Sequence, residues 1–163
     1  MKNKLIVSLL CIFSGFSGMA EKISVQGFDK EGFYTAMASG NITKIDNELE
    51  LVKAASFTEK DAYEGALLMR KSGLLKKAED KLKAFKAGRI KFETAMRDDE
   101  NNTEYRFLRL TIQEHAPRVV KYYKDQQSDK QVIRDNFKNL QPVVQQAIRE
   151  YSKTSKLLRQ EDL

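Results

Sequence analysis

Between Leu75 and Arg97 the apolar residues Ala78, Leu82, Phe85, Phe92 and Met96 recur at steps of 4, 3, 7 and 4, a seam that an α-helix aligns on one face. Ala84, Gly88 and Ala95 keep the neighbouring positions small. A helix with one apolar face is stable mainly through packing against other elements. Here those elements are helices too: no stretch alternates in the manner of a strand, and no hairpin dipeptide such as Asn-Gly occurs. The sequence therefore predicts an all-α fold.

Cap residues divide the chain. Asp29 can open a short helix carrying Phe33, Tyr34 and Met37, closed by Gly40, and Asn41 can open a second with Ile42, Ile45, Leu49 and Val52. Thr58-Glu59-Lys60-Asp61 resembles a capping box for a third helix, with Phe57 placed to begin a hydrophobic staple and Gly73 as the stop. Ala62, Gly65, Ala66 and Met69 give that helix a narrow stripe of small side chains. Gly65 costs a helix about 1 kcal/mol relative to alanine, which close approach of another helix would offset.

The helix from Leu75 to Arg97 comes fourth. A polar link, Asp98 to Asn102, leads to a helix from about Thr103 whose apolar residues Tyr105, Phe107, Leu108, Leu110 and Ile112 spread over more than one face, as in a central helix. It should end near His115, with Pro117 opening a short helix that carries Val119, Val120, Tyr122 and Tyr123. Ser128-Asp129-Lys130-Gln131 is a capping-box pattern for the next, with Val132, Ile133, Phe137 and Leu140. Pro142 can begin a last helix striped by Val144, Ile148, Tyr151, Ser155 and Leu158. About seven to eight helices, arranged as antiparallel hairpins, should make one domain over residues 29–163, after an extended lead-in at 21–28.

Residues 1–20 read as an export signal. Lys2 and Lys4 precede an apolar run from Leu5 to Phe16, and Gly18-Met19-Ala20 supplies small residues before a cleavage point ahead of Glu21. That run is too short for a membrane span, which takes roughly 20 residues. The alternatives are retention as an anchor, or lipidation at Cys11; against the latter, Leu9 and Leu10 stand where a lipoprotein signal needs small residues. Cleavage predicts a periplasmic or secreted product with no transmembrane span and no disulfide, since Cys11 is the only cysteine. Loss of Lys2 and Lys4 lowers the net charge from +6 to +4.

The single histidine, His115, excludes sites needing two, and no Gly-rich phosphate loop is present, so no cofactor, metal or catalytic residue is assigned. Export removes nucleic acid as a partner. Asp98, Asp99, Glu100, Asn102 and Glu104 fail the EF-hand spacing, with Thr103 at the glycine position and Arg109 at the bidentate acid.

Gly88, Phe92 and Ala95, followed by Asp99-Glu100-Asn101-Asn102, resemble the second helix and inter-repeat link of a tetratricopeptide repeat (TPR), with Glu100 where proline is usual. The likeness covers roughly residues 85–112, while the spacing upstream of Gly73 and the break at Pro117 depart from a regular repeat. The segment Glu104-Tyr105-Arg106-Phe107-Leu108-Arg109-Leu110, with the export signal, resembles a family of small secreted helical proteins of Bacteroidetes-type bacteria. Together these resemblances imply stacked helical hairpins, a TPR-like or irregular bundle, and a surface that binds protein or peptide in the cell envelope.

Two residue sets are candidates for such a surface. Tyr105, Arg106, Arg109, Tyr122 and Tyr123 combine the aromatics and arginines common in binding hot spots, though the same residues can instead build a core edged by arginines. Lys76, Lys77, Lys83 and Lys86 begin a basic stretch, eight bases against three acids over residues 76–97. That face suits anionic lipid, acidic glycan or an acidic partner, or serves only as a solvated face. A non-enzymatic interaction module is the leading expectation. The rivals are an anionic lipid- or glycan-binding surface and a carboxylate-based hydrolase.

Overall fold

A computed structural model describes residues 28–163; the predicted export signal and nearly all of the lead-in lie outside the described residues. The described residues form seven α-helices and no strand: α1 (Lys30–Ala38), α2 (Ile42–Ala54), α3 (Lys60–Ser72), α4 (Ala78–Asp98), α5 (Thr103–His115), α6 (Gln126–Asn136) and α7 (Pro142–Ser152). Single turns of 3-10 helix sit at Arg118–Val120, Phe137–Asn139 and Gln160–Asp162. The fold is all-α.

Two predicted caps form, at Asp29 and Asn41, and a third, at Asn102, arises at the end of the polar link. Asp29 accepts from the Glu31 amide, Asn41 from Lys44 and Asn102 from Tyr105, each satisfying an amide that the first helical turn leaves without a partner. Gly40 takes the left-handed φ of +59° between α1 and α2.

The closest helix pair is α3 with α4. They run antiparallel: Lys91 of α4 pairs with Asp61 and Glu64 early in α3, while Gly88 lies against Leu68 and Met69 further along it. Gly65 and Gly88 meet backbone to backbone. A Cβ on Gly65 would stand 2.7 Å from the Gly88 carbonyl oxygen and the Phe92 amide nitrogen. This is the close approach that the small stripe on α3 predicts.

Helix α5 is central, with a different core on each side. Tyr105, Leu108 and Ile112 join Phe33, Ile45, Tyr63, Leu67 and Phe92 from α1–α4. Phe107 and Leu110 join Ile133, Phe137, Val144, Ile148 and Leu158 from the C-terminal part.

Five local expectations need correction. Thr58 caps nothing: α3 begins at Lys60 after a turn, and Glu59 before it makes no side-chain cap, because Thr58 and Glu59 are used in turning the chain out of α2. The Lys60 ammonium instead reaches back to carbonyls of Lys53 and Ala55 at the end of α2. Helix α4 starts at Ala78 rather than Leu75, and Ala78 and Leu82 of the predicted seam are exposed, since its packing begins at Phe85. After Pro117 only one 3-10 turn forms; Lys121, at a left-handed φ of 49°, ends it.

Ser128 lies inside α6, its hydroxyl donating to the Asp125 carbonyl, because Asp129 is drawn into the α5–α6 interface. Helix α7 stops at Ser152, short of Ser155 and Leu158. There the Ser155 hydroxyl accepts from the amides of Leu157 and Leu158 and donates to Glu114, fixing a turn in place of another helical one.

Candidate functional site

Helix α4 packs one face on α3, and much of the rest of its surface is exposed. Lys76 and Lys77 before it, and Lys83 and Lys86 on it, are all exposed. By spacing, Leu82, Lys86 and Arg89 share one strip of the helix, and Lys83, Lys86, Ile90 and Arg97 share the next. The segment after α5 lies against the first strip. Tyr122 sets its ring edge-on to Phe85 at 5.7 Å, receives the Arg89 guanidinium over its face at 4.9 Å, and donates its hydroxyl to Glu93 at 2.5 Å. Burial and the Glu93 charge push the Tyr122 phenol far above its ordinary range, so it remains a donor.

With Tyr122 pinned, Val119 before it and Tyr123 after it project outward, 85% and 50% exposed. The bases Arg118, Lys121 and Lys124 are exposed on the same segment. The aromatic set and the basic set, separate in the sequence reading, thus adjoin through Tyr122.

The aromatic–arginine set itself splits. Tyr105 is buried and packs against Phe92. Arg109, 6% exposed, donates from Nε and Nη2 to the two oxygens of Asp129 at 2.7 and 2.6 Å. Arg106, half-buried, reaches Asp129 at 3.3 Å and the Glu100 carbonyl at 2.7 Å. The reason is Asp129: its side chain is wholly buried, and a buried carboxylate requires close cations. Of the five residues in that set, Tyr123 alone is exposed.

A second place with functional side chains is a polar cleft of about 330 Å³, bounded by α1, α3 and the start of α5 on one side and residues 136–141 on the other. Glu59, Tyr63, Glu104 and Lys30 line it. Glu104 accepts from the hydroxyls of Tyr34 and Tyr63 at 2.8 and 2.7 Å and from the Lys30 ammonium at 2.7 Å. Burial first, then the Glu104 charge, pushes both phenols up, so each is held as a donor. The cluster satisfies itself. A carboxylate already engaged by three donors is poorly placed to take a proton from a substrate.

Sequence reasoning weighed Glu104 only as a calcium ligand and Asp129 only as part of a capping box, and missed the buried pairing of each. Neither local pattern says which distant side chain the acid will meet. His115 is exposed, with Nδ1 2.9 Å from the Thr111 carbonyl oxygen. Its neighbour Glu114 turns away to bond Tyr151, Ser155 and the Lys156 amide. Among the described residues no group of three or more His, Cys, Asp or Glu is arranged to hold a metal ion, and no helix is long and apolar enough to cross a membrane. No family model, curated protein or solved structure matches the chain.

Proposed function

We propose that this chain is a non-enzymatic, exported interaction module of the cell envelope, and that it docks an anionic partner on the face formed by α4 and residues 117–124. One observation carries the reading: charge is segregated. Residues 76–97 and 118–124 hold eleven bases and three acids, an excess of +8, whereas the other described residues hold fifteen bases and nineteen acids, or −4. Lys83, Lys86, Arg89, Arg118, Lys121 and Lys124 form no ion pair with another described residue. A potential of one sign on one side steers partners of the other sign.

A TPR-like stacking of hairpins belongs to this reading. It is supported by the antiparallel α3–α4 pair and by the residue 99–102 link into α5. Hydrolysis at the Glu104 cleft is disfavoured by the three donors that occupy that carboxylate.

The test is photocrosslinking in the native cell from Ile90 or Val119, replaced by a photoreactive residue, with Leu51 as an exposed control outside the face. Attachment of envelope components from Ile90 and Val119 but not from Leu51 is the expected result. Equal yields from all three would defeat the assignment of the face. An N-terminus at Met1 in the native protein, read by mass spectrometry, would defeat cleavage of the leader.

A further inference from the structure

Resting on that reading, we infer that the anionic partner is a lipid bilayer surface, which the face meets edge-on with Val119, Tyr123 and Ile90 entering the headgroup layer. The first argument is protrusion. Val119 is 85% exposed, Ile90 71% and Tyr123 50%. Apolar residues that line a peptide groove are shielded by its walls. These stand clear of their surroundings, as wedges do, and a planar interface is what such side chains fit.

The second argument is how they are held. The 3-10 turn Arg118–Val120 ends at Lys121, and the next residue, Tyr122, is clamped between Phe85 and Arg89. The exposed tips therefore sit on a fixed support, so little conformational entropy is lost when they are immobilised in a second phase. The third is composition. Tyr123 has an apolar ring with a polar tip, suited to the boundary between headgroups and acyl chains. Arg118, Lys121 and Lys124 beside it, and Lys86 on α4, are exposed and carry the charge that lipid phosphates attract.

Charge supplies the orientation. The −4 carried by the rest of the described chain is repelled by an anionic leaflet that attracts the +8 face. Three apolar tips give peripheral, reversible attachment, in which cations and apolar contact are both required.

The experiment is co-sedimentation of the full chain with vesicles of phosphatidylcholine alone and of phosphatidylcholine mixed with phosphatidylglycerol, across a salt series. Variants of the same chain share its apolar leader, so differences between them report on the face. Binding should require phosphatidylglycerol and fall with salt. Lys83→Gln/Lys86→Gln/Lys121→Gln should weaken it on the order of a hundred-fold, from three bases removed near the surface. Val119→Ser/Tyr123→Ser should weaken it about ten-fold at every salt concentration, from lost apolar burial.

All of these side chains are exposed, and an unchanged circular dichroism spectrum confirms that each variant is folded. Tyr123→Trp supplies the only tryptophan in the chain. Its emission should shift to the blue on phosphatidylglycerol vesicles and be quenched by brominated lipid. Unchanged emission on vesicles that do sediment the protein would overturn the inference. Poly-glutamate binding that needs Lys83, Lys86 and Lys121, without vesicle binding, would overturn the lipid partner and leave the anionic-partner reading standing. Binding to neither would overturn both.

Discussion

Replacing Gly65 with alanine tests the packing that carries α4, and hence its exposed face. The new Cβ would stand 2.7 Å from both the Gly88 oxygen and the Phe92 nitrogen, where ordinary contact begins at 3.4 Å. Both atoms are backbone, so no rotamer change relieves the clash and the helices must part by about 0.7 Å, the difference between those distances. A gap of that size forfeits a quarter to a half of the dispersion energy at each contact it opens. Overpacking costs roughly 1–3 kcal/mol, and backbone against backbone belongs at the upper end of that range. Against this, alanine gains about 1 kcal/mol in helix propensity. The balance is a loss of about 2 kcal/mol, or roughly 4–8 °C in Tm for a chain of this size. Far-UV circular dichroism melts and urea titrations measure it, with the midpoint falling at constant m. Gly88→Ala should behave alike, and the double variant should lose less than the sum, because one separation accommodates both methyl groups. A Tm that rises in Gly65→Ala, as for a glycine on an open helix face, would refute the close-packing argument.

Asp129→Ala takes from buried Arg109 the carboxylate that accepts both its close hydrogen bonds, leaving Asp125 at 3.8 Å, and should cost about 3 kcal/mol in a urea titration. Glu114 lends the C-terminal segment a pH dependence: burial alone would raise its carboxyl, but bonds from Ser155, Tyr151 and the Lys156 amide outweigh burial and lower it below the ordinary 4.5. A depressed carboxyl stabilises the fold above its unfolded value and loses that contribution as pH falls through the folded one. The stability advantage of the native chain over Glu114→Gln should therefore be full at neutral pH and shrink below about 4.5, measured by urea midpoints across a pH series. His115→Ala should change stability by no more than about 0.5 kcal/mol, since the ring is exposed and makes one local hydrogen bond.

Helix existence was largely legible because each period is local: the seam of α4 from Phe85 onward and the two-sided pattern of α5 record what each turn faces. Caps were legible where the side chain could serve only the first turn, as at Asp29 and Asn41, whereas the cap at Asn102 was hidden in a run of five polar link residues. They failed where tertiary demands won, as at Ser128, whose neighbour Asp129 is held by two arginines from another helix. The fate of the arginines could not be read for the same reason. Whether Arg106 and Arg109 line a surface or neutralise an interior acid depends on a residue twenty or more positions away. Leu82 was misassigned because the periodicity of α4 continues past the end of its partner helix.

The same distinction separates structural bases from the rest. Lys30, Lys91, Arg106 and Arg109 each have a carboxylate within 3.3 Å, and each joins elements distant in sequence. On α4 the acids Glu79 and Asp80 stand in the first turn, where the helix dipole favours them. Of the bases that follow, Arg89 packs over the Tyr122 ring, but Lys81, Lys83 and Lys86 have no comparable place in the fold. Solubility alone would be served as well by charges of both signs spread along the helix, which also support it through pairs three or four residues apart. Gathering one sign on α4 and on residues 118–124 gives up those pairs and adds self-repulsion. A cost to folding that no internal contact recovers points to a gain outside the molecule, which is why the basic face, and not the self-satisfied Glu104 cleft, is where function is sought.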